Sequence, residues 1–124
     1  MPLTDELVRD VKLYDGRSLP GAVHNVFREE HCGKDCTQLL RFELPAKDAP
    51  RLLDELSGQP AQPVSSEEQM RFFKFETARK WFIQKPVGGS WGVISPMLNG
   101  SPLIRYIAQP EGRIVHVYVR NFTM

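Results

Sequence analysis

The chain has 124 residues, 41% of them apolar and 25% charged, with 16 basic and 15 acidic side chains. A chain of this length forms one domain and can bury roughly two thirds of its unfolded surface, so a core needs neither a metal nor several disulfides. The formal charge of +1 argues against a general nucleic-acid binder, and no apolar run approaches the ~18 residues of a membrane span.

The chain starts MPLTDELVRD, with no apolar signal-peptide core. That predicts a cytoplasmic protein, or an envelope or periplasmic one if a leader has been trimmed. Residues 4–14 place Leu7, Val8, Val11 and Tyr14 at helical spacing behind a Thr4 cap. VKLYDG reads equally well as a short strand, and Asp15-Gly16 ends either pattern.

Residues 22–44 read as a β-hairpin with arms AVHNVFREEH and TQLLRFEL. The intervening loop pairs Cys32 with Cys36 and sets Val26, Leu40, Phe42 and Leu44 on the same face. The other face carries Glu29, His31, Thr37, Arg41 and Glu43, with Phe27 and Leu39 as apolar exceptions. This is the alternation of a sheet buried on one side. In an oxidising compartment Cys32 and Cys36 are therefore expected to form a disulfide on the core face, worth about 2 kcal/mol because the closed loop is short; in a cytosolic protein they are two free thiols. A CxxxC pair offers too few ligands for a structural zinc site, and His31 points to the opposite face, so no metal is expected.

A helix follows at 46–57, with Leu52, Leu53 and Leu56 as its apolar stripe. Pro50 belongs in its first turn, Asp48 or Ala49 at its start and Gly58 at its end. Ser66-Glu67-Glu68-Gln69 has the pattern of a capping box, and a second helix is expected there. Phe72, Phe73, Phe75, Trp81 and Phe82 form an aromatic segment, with a short helix predicted over 77–84. PVGGSWG (86–92) reads as a loop carrying an exposed Trp91.

PLIRYIAQ and RIVHVYVRNF read as a second hairpin, with Pro110 opening the turn and Gly112 in its left-handed position. That turn sets Leu103 opposite Val119 and Ile107 opposite Val115. Leu103, Ile107, Val115, Val117 and Val119 then face the core. Ile104, Tyr106, Ile114, His116, Tyr118 and Arg120 form the second face, covered by helices or left as a strip for a partner. The predicted fold is α+β: an antiparallel sheet of four to five strands from two hairpins, in the order β-β-α-(α)-β-β, with helices on one face.

Catalytic motifs are missing. There is no Gly-rich phosphate loop and no HExxH, and GGSWG lacks the strand-turn-helix context of a nucleophile elbow. None of His24, His31 and His116 has a carboxylate at a spacing that predicts a dyad. No cofactor and no enzymatic activity are expected. Residues 1–62 carry 8 basic and 11 acidic side chains, and residues 63–124 carry 8 basic and 4 acidic. Six cations and one anion, Glu76, lie between Arg71 and Arg105. Cations beside large aromatics are the usual anchors of a protein interface. Arg79, Lys80, Trp81, Lys85 and Trp91 are thus the candidate contacts to an acidic protein partner, with Tyr106, His116 and Tyr118 as a further strip.

The stretch 19–56 resembles small bacterial envelope proteins, many of them predicted lipoproteins of unknown function. The matching positions are Leu19, Pro20, Ala22, Asn25, Val26, Arg41, Phe42, Leu44, Pro45 and Ala46. Trp81 resembles their mid-chain Trp motif, and Val117-Tyr118 their closing strand. The chain departs from the pattern in having no lipobox cysteine. The resemblance implies no chemistry and favours a binding role, such as a toxin-immunity or inhibitor protein. A small-ligand-binding domain of the envelope is the alternative, and a small enzyme the second.

Overall fold

The computed structural model describes residues 2–14, 16, 18–74, 81–82, 84–94 and 103–122. It is an α+β structure built on one six-stranded antiparallel sheet with three short helices. The strands are β1 (His24–Cys32), β2 (Cys36–Pro45), β3 (Gln62–Pro63), β4 (Trp91–Val93), β5 (Leu103–Glu111) and β6 (Ile114–Phe122). They lie in the order β1-β2-β6-β5-β4-β3. The two expected hairpins are the middle of this sheet. The two short strands extend it beyond the predicted four to five.

The first hairpin has the expected register: His31 pairs with Thr37, Glu29 with Leu39 and Phe27 with Arg41, ahead of an irregularity between His24 and Phe27. The second does not. Its turn is the two residues Gly112 and Arg113, and Pro110 lies inside β5. Gly112 has φ 63°, which the first central position of a tight hairpin turn favours. Ile107 faces Tyr118, not Val115, and Leu103 faces Phe122, not Val119. An odd-numbered slip turns every side chain of one strand to the other side. Ile104, Tyr106 and Ala108 therefore share a face with Val115, Val117 and Val119. Ile107 joins Tyr118 on the other.

Helices cover both faces, not one. The helix α2 (Ala49–Ser57) packs Ala49, Leu53 and Leu56 onto Leu40, Phe42, Leu44, Tyr106 and Val117. Pro50 sits in its first turn and Gly58, φ 69°, ends it. The short α1 (Asp5–Asp10), capped by the Thr4 hydroxyl, borders the same side, where Val11 and Leu13 are buried. On the other side, α3 (Ser66–Phe73) lays Phe72 and Phe73 on Leu39, Ile107 and Tyr118, with Phe82 beside them. Its cap is Ser65, one residue before the expected position. The Ser65 hydroxyl accepts from Glu68 N at 3.1 Å, and Ser65 N donates to the Glu68 carboxylate at 3.0 Å.

Cys32 and Cys36 are joined by a disulfide with Cα atoms 4.1 Å apart. It does not lie in the core. Cys32 is exposed and Cys36 half-buried, because α2 covers the sheet around Leu40 and Phe42 and not this hairpin tip. Trp91 opens β4 and does not ride on a loop. It is half-buried against the α2 side, edge-on to Tyr106 with ring centroids 6.2 Å apart.

Candidate functional site

The α3 side of the sheet is laid out in rows by strand register. One row runs Glu43, His116, Gln109; the next Phe27, Arg41, Tyr118, Ile107; the next Glu29, Leu39, Arg120, Arg105. Phe27 and Leu39 interrupt the polar pattern because this face also has a cover. The Trp81 ring stacks on Phe27 at 5.6 Å and meets Phe82 edge-on at 6.0 Å. Arg41 lies between them: its guanidinium is 5.8 Å from the Phe27 ring and 5.4 Å from the Tyr118 ring. Its Nη1 donates to the Trp81 carbonyl at 3.1 Å. Phe27, Trp81 and Arg41 are each half-buried, so their outer edges reach solvent from a fixed geometry. Burial raises the pKa of the Tyr118 hydroxyl, so it stays protonated.

Beside this stack, Gln109 Nε2 donates to the Lys85 carbonyl at 2.9 Å and to Gln69 Oε1 at 3.1 Å. Gln69 also bonds the backbone at Val64 and at both the N–H and carbonyl of Val87. These buried amides tie the segment 84–90 to α3 and β5, leaving Lys85 exposed. The His116 ring sits in the first row, only 16% exposed, between Glu43 at 3.9 Å and Glu111 at 3.4 Å. Neither carboxylate is at a telling sequence spacing. Strand pairing and the hairpin turn bring them there.

In the third row two arginines stand directly opposite each other. The Arg105 guanidinium lies 5.4 Å from the Phe122 ring, and that of Arg120 lies 5.2 Å from Phe72 and 5.3 Å from Phe122. Arg120 Nη1 donates to the Phe72 carbonyl at 3.0 Å. With Arg71, Glu68, Phe72 and Ile94 they line a cleft of about 220 Å³.

The eight partner residues anticipated from sequence thus separate. Trp81, Lys85, His116 and Tyr118 lie on the α3 side. Tyr106 is fully buried on the α2 side, and Trp91 packs against it there. Arg79 and Lys80 lie outside the described residues, as does most of the helix predicted over 77–84. Phe27, Arg41 and Arg120 were missed as site residues. Their signal was present as one apolar exception, Phe27, and two arginines on a strand face that needed a cover. Glu30, Cys32 and Cys36 place their ligand atoms within 4.8 Å of one another. The sulfurs are spent on the disulfide, so the group is not a thiolate metal site.

Comparison of the chain with models of known protein families, with curated proteins and with solved structures finds no match.

Proposed function

We propose that this chain is a non-enzymatic binding domain whose α3 side docks an acidic protein, in the manner of an immunity or inhibitor protein. The observation that carries this is the Phe27–Arg41–Trp81 stack. Two large rings and a guanidinium are held half-exposed by contacts within the fold. Rigid aromatics and arginine lose little conformational entropy on binding, and they dominate interface energetics. The exposed Lys85 adds charge of the same sign nearby, and the C-terminal half carries the excess of cations. Such a field speeds the approach of an acidic surface.

The test is capture from an extract of the source organism on immobilised wild-type protein, followed by titration of each purified captured protein. The expected partner is acidic. Its on-rate falls with salt and with Lys85→Glu. Trp81→Ala raises its off-rate roughly tenfold or more, the effect of losing an interface anchor. A captured protein that binds wild type, Lys85→Glu and Trp81→Ala equally well would overturn the assignment.

A further inference from the structure

The β5–β6 register sets Arg105 directly opposite Arg120. Like charges at such positions repel, and both side chains are half-buried, where the repulsion is screened less than on the surface. Burial, then the neighbouring Arg105, lowers the pKa of the Arg120 guanidinium to about 10, so Arg120 is charged at neutral pH. Arg105 Nε is buried with no hydrogen-bond partner among the described residues. A buried, unpaired donor is costly. No carboxylate of the described residues lies within 4.0 Å of the Arg105 guanidinium.

Among the described residues that line the cleft, Glu68 is the one carboxylate, and it is turned back onto Ser65 N by the capping box. Arg71, the third arginine, pairs with Glu67 at 3.6 Å, but both side chains are more than two thirds exposed. Such a pair is weak and exchanges easily with another anion. The aromatic rings of Phe72 and Phe122 hold the two inner guanidinium planes in place before any ligand arrives.

From this geometry we infer that Arg71, Arg105 and Arg120 form a binding site for a phosphate monoester. Guanidinium forks match phosphoryl oxygens in pairs. A phosphate monoester offers three acceptor oxygens to this cluster, where one carboxylate offers two. Phe72 and Ile94 line the apolar side of the same cleft, where the organic part of an ester fits. The site uses no glycine-rich loop, which is why the sequence carries no phosphate motif. It does not rest on the partner assignment, whose carrying residues are Phe27, Arg41 and Trp81.

The experiment is a titration of the whole protein, followed by amide chemical shifts and by melting temperature. The probes are inorganic phosphate and phenyl phosphate, with benzoate and sodium chloride at matched ionic strength as controls. Saturable binding of both phosphates is expected, phenyl phosphate the tighter, with benzoate at least roughly tenfold weaker. Arg105→Gln should weaken phosphate binding roughly tenfold or more. Arg71→Gln, on the exposed surface of α3, should do so without unfolding the protein. Phosphate effects no larger than those of chloride, or an Arg71→Gln and Arg105→Gln pair that both keep wild-type affinity, would overturn the site. A shared failure of Trp81→Ala and Lys85→Glu to alter partner binding would instead overturn the partner surface alone.

Discussion

Gln38 is fully buried on the α2 side of β2, and both its amide atoms lack a hydrogen-bond partner among the described residues. It pairs across the sheet with Asn121, also fully buried, whose Oδ1 accepts from Tyr14 N at 2.8 Å. Asn121 is thus anchored, while Gln38 carries a desolvation cost without return. Leucine would fill the same space without that cost. Gln38→Leu is expected to raise stability by about 1–3 kcal/mol in urea unfolding. A neutral or lower midpoint would mean that the amide is satisfied in solution. Tyr14 shows the opposite case. Its hydroxyl donates to Glu30 at 2.5 Å, and burial together with that carboxylate raises its pKa.

At the scale of elements, short strands survive through close approach. β4 has three residues and reaches β5 through Gly92, which pairs with Ile107. A Cβ at Gly92 would run into the carbonyl oxygen of Tyr106. That atom is backbone and cannot turn aside. Gly92→Ala should therefore cost about 1–3 kcal/mol. Amide exchange should speed up in β4 and the facing part of β5, before the β2–β6 pairing is touched. Uniform loss of protection would show that β4 is integral to global folding. The helices owe their limits to local chemistry: Pro50 and Gly58 bound α2, and the Ser65–Glu68 box starts α3.

For the whole molecule, the decisive feature is a sheet covered on both sides. Its inner strands β2, β6 and β5 serve two hydrophobic clusters, one under α2 and one under α3. Val117 lies at the centre of the α2 side, fully buried, between Phe42 and Ala108. Val117→Asp places an unpaired charge there and should cost ~4 kcal/mol or more, a large share of the stability of a domain. A wild-type melting temperature would contradict this face assignment. The edges of the sheet are blunted. β3 is two residues with Pro63, and β1 carries Arg28, Glu29 and Glu30 and receives the Leu3 N–H at Val26.

The sequence alone determined the α+β class, the two long hairpins, the C-terminal end of α2 and the pairing of the first hairpin. Those features are local. A proline, a glycine, a short loop between two cysteines and one polar strand face each admit a single arrangement. The second hairpin is different. Ile104, Tyr106, Ile107 and Ala108 on β5, and Val117, Tyr118 and Val119 on β6, are apolar or aromatic on both sides. A pattern with period two fixes register only when one face is polar, so these strands fit several registers equally well. Packing decided among them. It placed Tyr106 under α2 and Tyr118 under α3, drew Trp91 into the sheet, and brought Arg105 face to face with Arg120. Contacts across the α3 side, between residues 40 or more positions apart such as Arg41 and Trp81 or Arg120 and Phe72, exist only once both layers have closed on the sheet.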